Sequence, residues 1–211
     1  MLYQLGCVHD PVSVVQGTLL LTLWVSNQDE CPDNSTWLSI AIQNARKLGA
    51  HHAQEPWGTS HHTFTQLKRL WWVCLIRDRV IALGYRRPLQ IADNNWNADC
   101  RLLFSEEVQN EMCQSRVYSP KTRNILFRVF VSIFEFSCTL TNILNMVFPP
   151  LGDLLSPGTK ASASLQQAEI FERSLCDWYN KSRRMLTNLD PNIEQNDSIL
   201  LFHHLLKMYL Q

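Results

Sequence analysis

The sequence lacks the short motifs that mark the common enzyme classes. It contains no G-x-S-x-G nucleophile elbow, no G-x-x-x-x-G-K-[ST] phosphate loop, no G-x-G-x-x-G turn and no H-E-x-x-H helix. Each motif holds a nucleophile, a phosphate or a metal ion in the geometry that its chemistry requires. Their absence argues against the corresponding hydrolases, nucleotide-binding proteins and metalloproteases. We therefore expect a protein that acts by binding and not by catalysis.

The cysteines and histidines also lack the spacing of metal ligands. The seven cysteines stand at positions 7, 31, 74, 100, 113, 138 and 176, and no two of them form a C-x-x-C pair. Histidine doublets stand at 51–52, 61–62 and 203–204, but adjacent side chains on a helix point about 100° apart and cannot both face one ion. We expect reduced intracellular thiols, structural or solvated histidines, and no metal or cofactor held by this chain.

Neither an excess of charge nor a targeting segment is visible. The 19 basic and 19 acidic residues give a formal net charge of zero, which argues against a nucleic-acid surface because phosphate binding needs concentrated positive charge. The first basic residue is Arg46, so the early apolar run lacks the positive segment of a secretory signal. Segment 129–147 is apolar, but Glu135 and several Ser, Thr and Asn residues predict a buried helix there and no membrane span.

What the sequence does contain is helical periodicity. With 211 residues and 45% hydrophobic content, the chain is long enough for a domain that buries roughly 70% of its unfolded surface. Helices are predicted from a Ser13–Gln16 capping box to about residue 25, at 35–48 ending at Gly49, at 63–83 ending at Gly84, from 105, along an apolar seam at 126–147, from a Ser164–Gln167 capping box to about 186, and at the C-terminal end. No segment alternates like a strand, so the predicted fold is all-α with many helices.

Three segments carry a more specific pattern. Residues 15–24 read VQGTLLLTLW, residues 36–51 read TWLSIAIQNARKLGAH, and residues 67–91 read LKRLWWVCLIRDRVIALGYRRPLQI. The third segment combines a double tryptophan, an Arg-Asp-Arg triplet and an Arg-Pro exit. Together the segments resemble the regulatory domain of fungal-specific, zinc-cluster transcription factors, in the variant of the cutinase transcription factor type. A weaker similarity follows in residues 165–178.

The resemblance implies a partial regulatory domain over residues 1–211. Its better-matched helical core would be 1–148, with a loop at 149–163 and C-terminal helices at 164–211. The six-cysteine cluster with which the family holds two zinc ions is absent from this sequence. Zinc and direct DNA contact would therefore belong to another segment. The chain also ends in a predicted helix where such domains usually continue, which implies an incomplete domain.

The function implied by the resemblance is transcription regulation in the nucleus. The expected partners are other transcription factor subunits or co-regulators, together with a small-molecule effector. The targets would be catabolic or secondary-metabolite genes, and no membrane is involved. Two other classes stay open. One is a stand-alone interaction protein that modulates full-length regulators, and the other is an all-α small-molecule binder or enzyme.

The candidate site residues are those of the family motifs, with structural or effector-facing roles. They are Trp37, Gly49, Trp71, Trp72, Asp78, Arg79, Arg87 and Pro88. A carboxylate on an apolar helix face needs a cationic or hydrogen-bonding partner, so we expect Asp78 to pair with an Arg of the 86–87 loop and to pin that loop to the third helix. Trp71 is predicted to lie in the core, whereas Trp72 either packs in the core or lines an effector site.

Overall fold

The computed structural model of the chain describes residues 10–23, 34–52, 61–91, 119–149 and 161–189. These residues form five α-helices and no strand: α1 (Pro11–Leu21), α2 (Asn34–Lys47), α3 (His61–Tyr85), α4 (Pro120–Val147) and α5 (Ala161–Leu189). The predicted all-α class is confirmed. The helices predicted from residue 105 and at the C-terminal end lie outside the described residues.

The first helix begins earlier than its sequence signal predicts. Asp10 is the N-cap, its carboxylate accepts hydrogen bonds from the backbone N–H groups of Val12 and Ser13 at 3.2 and 3.1 Å, and Pro11 opens the helix. The Ser13 hydroxyl also donates to Asp10, and this bond lowers the pKa of the carboxyl group. The predicted Ser13–Gln16 capping box is therefore wrong, because Ser13 already lies in the first turn.

The fifth helix also begins before its predicted start. Its first residue is Ala161, so Ser164 lies inside the helix and does not open it. The predicted loop over 149–163 thus overlaps the first turn of α5, although most of that segment lies outside the described residues. The division of the chain into 1–148, 149–163 and 164–211 stays a prediction.

The ends of α2 and α3 share one hydrogen-bonding pattern but use different residues. After α2, Gly49 has a φ of +73°, its N–H donates to the Arg46 carbonyl, and the Ala50 N–H reaches back to Ala45. This is the Schellman end for which glycine is favoured, as predicted. After α3, the left-handed residue is Arg86, with a φ of 52°. The prediction that Gly84 ends α3 is wrong.

By its internal contacts the chain divides into two compact units. Unit one comprises residues 1–109 and 140–157, and among the described residues it contains α1, α2, α3 and the end of α4. Within it, α1 packs on α2, and both pack on α3. Its least exposed apolar side chains come from all these elements and from the turn after α2: Val15, Leu38, Ala41, Ala45, Ala50, Trp72, Cys74, Leu75, Ala82, Ile91, Leu140 and Leu144.

Unit two comprises residues 110–139 and 158–211, and its described part is the first two thirds of α4 together with α5. The indole of Trp178 lies 4.6 Å from the Phe136 ring and donates to the Ser132 carbonyl at 2.8 Å. The hydroxyls of Ser132 and Ser182, both nearly buried, are 2.6 Å apart. A neutral polar contact between α4 and α5 therefore lies at the centre of this unit.

Helix α4 is long and apolar enough to cross a membrane by length and composition, and it is the single such helix among the described residues. Half of its most apolar window is buried inside the protein. Phe134 and Leu144 of this helix are 0% and 1% exposed. A core helix and a membrane span share the same composition, so composition alone does not distinguish them. The burial of α4 agrees with the predicted core helix.

Candidate functional site

The centre of unit one is a carboxylate on α3 that is completely removed from solvent. Asp78 is 0% exposed. One of its oxygens accepts a hydrogen bond from the Gln90 N–H at 3.1 Å, and the other accepts one from the Ile91 N–H at 3.0 Å. These two amides belong to the extended segment that follows Pro88, which has no helix or strand partner for them. Asp78 thus holds the exit segment of α3 through its backbone.

Arg79, the next residue along α3, is 1% exposed and uses all three guanidinium nitrogens. Nη1 lies 3.0 Å from an Asp78 oxygen, Nη2 donates to the Ile91 carbonyl at 3.1 Å, and Nε donates to the Thr141 hydroxyl at 3.0 Å. A buried ion pair persists when its remaining hydrogen-bonding capacity is filled in this way. We call Asp78, Arg79, Gln90, Ile91 and Thr141 the Asp78–Arg79 network.

The predicted pairing of Asp78 with an Arg of the 86–87 loop is wrong. The chain just after that loop is held to α3, but through the backbone amides of Gln90 and Ile91, three and four residues after Arg87, and the cation beside Asp78 is the neighbouring Arg79. Arg87 instead places its guanidinium 5.7 Å from the Tyr85 ring. Its Nε and Nη2 are buried and have no hydrogen-bond partner among the described residues. Pro88, the next residue, is exposed and is not a member of the Asp78–Arg79 network.

Two further contacts extend the network to α1 and α2. Arg77 donates from Nε and Nη2 to the hydroxyl and carbonyl of Thr22, at 2.8 and 2.6 Å, and burial lowers the pKa of its guanidinium. The Gln90 side chain accepts from the Ser39 hydroxyl at 2.7 Å and donates to the Ser35 carbonyl at 3.4 Å. The Arg-Asp-Arg triplet and its exit segment therefore bind α1, α2 and the end of α4.

The double tryptophan lies in the core of unit one. Trp71 is 3% exposed and Trp72 is 2% exposed, so the prediction for Trp71 is confirmed. Trp72 is equally buried, and a role for it at an effector site stays a prediction. The Trp71 indole N–H has no hydrogen-bond partner among the described residues. Trp37 on α2 is half-buried.

The arrangement offers little for bond chemistry. Both oxygens of Asp78 already accept hydrogen bonds and no solvent reaches them, so the carboxylate is placed as a structural anion. Burial and the negative charge of Asp78 raise the pKa of the Cys74 thiol to about 12, which makes it a poor nucleophile. Cys138 and Cys176 are also free thiols, and no metal-binding cluster of His, Cys, Asp or Glu occurs in the described part of the chain.

Three members of the Asp78–Arg79 network, Gln90, Ile91 and Thr141, are not among the candidate residues from the sequence. Thr141 and Gln90 carry its outer contacts, but neither residue stands out in the sequence. Thr141 offered a weak signal, since it is a polar residue on the apolar seam of α4. The pairing of Asp78 with Arg79 gave no signal at all, because adjacent residues on a helix diverge by about 100° and are seldom paired.

Comparisons with known proteins give relatives for this helical unit. The family described as fungal-specific transcription factor domain matches residues 6–180. The chain is 38% identical over 99 residues to cutinase transcription factor 1 beta of Fusarium vanettenii, covering 46% of this chain and 11% of the relative. It is 26% identical over 180 residues to cutinase transcription factor 1 alpha of the same organism, covering 84% of this chain and 19% of the relative. Transcription factor cpaR of Aspergillus oryzae is 30% identical over 99 residues, covering 46% of this chain and 16% of the relative.

These alignments identify the family and show how much of each relative's length the chain covers. The chain corresponds to between 11% and 19% of the length of these curated relatives. No solved structure matches it significantly. The family match contains all three motif segments, at 15–24, 36–51 and 67–91. The prediction of the family is therefore confirmed, and the chain belongs to the family of fungal-specific transcription factor domains.

Proposed function

We propose that this chain is the effector-responsive regulatory segment of a fungal zinc-cluster transcription regulator. It would act by packing and population shift, with no bond chemistry of its own. The observation that carries the proposal is the Asp78–Arg79 network, which holds the exit of α3 to α2 and to the end of α4 through buried charges. Zinc and DNA contact would belong to a segment outside this chain.

A buried charged network of this kind suits a two-state element. While Gln90 and Ile91 are docked, both oxygens of Asp78 and all three guanidinium nitrogens of Arg79 make hydrogen bonds. When residues 90–91 undock, Asp78 and Arg79 lose the hydrogen bonds that compensate their charges in a region of low dielectric. Such a loss costs about 3–5 kcal/mol in comparable cases. Intermediate positions are therefore disfavoured, and a ligand or partner that binds one state better shifts the population of both.

The family and the relatives named as transcription factors support a proposal for the partners and the location. We infer that the chain acts in the nucleus, together with other transcription factor subunits or co-regulators and a small-molecule effector. Two relatives are named cutinase transcription factors. This supports control of catabolic genes as a proposal, with secondary-metabolite genes as the second possibility. Enzymatic activity is not part of the proposal.

A reporter assay tests the proposal. The full chain is fused to an unrelated DNA-binding domain in yeast, and reporter output is compared with that domain alone at equal protein level. We expect the fusion to raise or lower the output, and Ser39→Ala, which removes the hydroxyl bonded to Gln90, to change that effect. Ser39→Ala is chosen because it weakens the network without uncovering a buried charge.

The matched control is Glu172→Gln, an exposed position on α5. It is expected to behave like the unmodified chain. A fusion whose output equals that of the DNA-binding domain alone, under every carbon source offered, contradicts a regulatory role. A response that Ser39→Ala and Glu172→Gln leave equally unchanged contradicts the role of the Asp78–Arg79 network in it.

A further inference from the structure

A second buried cation in unit one lies away from the Asp78–Arg79 network and has no counter-ion among the residues that the structure describes. Lys68 on α3 is 5% exposed. Its ammonium group donates to the His52 carbonyl and lies 5.3 Å from the centre of the Phe64 ring. No carboxylate of the described residues is within ion-pair distance of it. Burial lowers the pKa of this amine, as expected for a charge removed from water.

The cation shares one face of α3 with a second unsatisfied donor. Phe64, Lys68 and Trp71 are spaced by four and three residues, so their side chains are neighbours on the helix surface. Trp71 is 3% exposed, and its indole N–H has no hydrogen-bond partner among the described residues. Buried donors of this kind are rare in native proteins, because each one left unsatisfied costs free energy.

The turn after α2 completes the surroundings. The His51 ring lies 5.9 Å from the Trp71 ring and 4.3 Å from the His52 ring. The same turn supplies the His52 carbonyl to Lys68. Gly49 fixes the course of this turn through its left-handed conformation. An ammonium group, an indole N–H and aromatic rings thus meet between α3 and the turn, and none of these side chains carries a negative charge.

We propose that Lys68 and Trp71 form a binding site for an oxyanion, a carboxylate or phosphate group of a small molecule, between α3 and the turn at 49–52. The oxyanion accepts hydrogen bonds from the Lys68 ammonium and the Trp71 indole, which supplies the missing charge and the missing acceptor together. The flanking rings of Phe64 and His51 contact the apolar part of such a ligand. The site deepens the proposed effector response and rests on it for its role in regulation.

The binding test uses the full chain with ¹⁵N-labelled tryptophan indoles. Sodium acetate and sodium phosphate are titrated separately at constant ionic strength, with sodium chloride as the reference, and the Trp71 signal is assigned from Trp71→Phe. We expect a saturable shift of the Trp71 indole signal with at least one of the two oxyanions. Saturation by acetate alone identifies a carboxylate site, and saturation by phosphate identifies a phosphate site. No saturable shift with either anion overturns the proposal.

Lys68→Met tests the cation and keeps the apolar stem. Losing a hydrogen bond from a charged group weakens binding by about tenfold or more. The matched control is Lys47→Met, an exposed lysine in the last turn of α2, which should bind as the unmodified chain does. Equal binding by Lys68→Met and Lys47→Met overturns the proposal.

Thermal unfolding separates the oxyanion site from a purely structural lysine and does not depend on NMR assignments. In chloride buffer we expect Lys68→Met to unfold at the same or a higher temperature, because it removes an uncompensated buried charge. The added oxyanion raises the unfolding temperature of the unmodified chain and not that of Lys68→Met. A lower unfolding temperature with an unchanged response to the oxyanion assigns Lys68 to holding the His52 carbonyl and overturns the proposal. A silent reporter with intact oxyanion binding instead contradicts the proposed function.

Discussion

The two compact units of this chain bury polar groups in different ways. In unit one, α3 buries a full ion pair, and Asp78 and Arg79 are both less than 2% exposed. In unit two, the buried contact between α4 and α5 is neutral, made by the hydroxyls of Ser132 and Ser182. An ion pair among the described residues of unit two, Lys181 with Glu135, lies at the surface with a side-chain exposure of 67% for the lysine.

The two kinds of contact differ in how strictly they fix the packing of the helices that make them. A buried ion pair has a large desolvation cost, so it is stable only in the one arrangement that satisfies all its hydrogen bonds. A pair of hydroxyls costs less to bury and tolerates more adjustment, and an exposed ion pair contributes little because water and salt screen it. We therefore expect unit one to have a sharply defined packing around residues 89–91 and unit two to depend mainly on apolar contact.

The largest expected effect is that of Asp78→Asn. The change keeps the shape of the side chain but removes the charge that compensates Arg79, and it turns one acceptor of a backbone amide into a donor. We expect a loss of about 3–5 kcal/mol in the free energy of unfolding, the range for breaking a buried pair. Urea unfolding measures the loss, and hydrogen exchange at Gln90 and Ile91 should accelerate selectively. Unchanged stability contradicts the structural role of the carboxylate.

The double variant Asp78→Leu/Arg79→Met refines that result. Removing both charges eliminates the uncompensated ion, so the loss should be smaller than the sum of the two single losses. It should not vanish, because the amides of Gln90 and Ile91 then lack an acceptor. Strict additivity of the two single variants would mean that Asp78 and Arg79 do not act as a pair.

The hydroxyl pair of unit two gives the next effect. Ser132→Ala leaves the nearly buried Ser182 hydroxyl without its partner, and Ser182→Ala does the same to Ser132. Each single variant should lose about 1–3 kcal/mol of unfolding free energy, the cost of an unsatisfied buried polar group. The double alanine variant should lose less than the two together. A double variant worse than the sum would show that packing volume, and not hydrogen bonding, dominates this contact.

Two glycines of unit one should respond to alanine in opposite directions. Gly84 lies within α3, and a Cβ there meets no atom within 4 Å, so Gly84→Ala should stabilise by about 1 kcal/mol. Gly49 has a φ of +73°, and its Cβ would lie 2.9 Å from a His52 ring carbon. Gly49→Ala should therefore destabilise by about 1–2 kcal/mol. Thermal unfolding of the two variants measures both signs, and equal signs would contradict the assigned ends of α2 and α3.

These glycines also show how far the sequence could predict the fold. Gly49 ends α2 as predicted, because a glycine just after a periodic apolar stripe is a strong local signal. Gly84 carries the same signal, but the prediction that it ends α3 is wrong. The helix continues to Tyr85, and Arg86 takes the left-handed position. Tertiary contacts decide this end: Asp78 holds the exit segment in place, and that contact joins residues twelve and thirteen positions apart.

The site could be predicted in its composition but not in its connections. Asp78 and Arg79 are candidates as residues of the Arg-Asp-Arg motif, and Asp78 also because a carboxylate on an apolar helix face needs a partner. Which partners they find depends on where the chain returns: Thr141 carries only a weak sequence signal, and the amides of Gln90 and Ile91 carry none. Lys68 is not among the candidate residues from the sequence, because a lone lysine on a helix is ordinarily solvated.

The smallest expected effect is at the surface pair of unit two. Lys181 Nζ lies 2.8 and 2.9 Å from the two oxygens of Glu135, but the lysine is largely exposed. Lys181→Met and Glu135→Gln should each change the unfolding free energy by about 0.5 kcal/mol or less, and the change should shrink further at 1 M salt. Urea unfolding at low and high salt measures both quantities. A loss that approaches that of Asp78→Asn, or one that salt does not reduce, would mean that this pair is sheltered from water and that the two units do not differ in their use of charge.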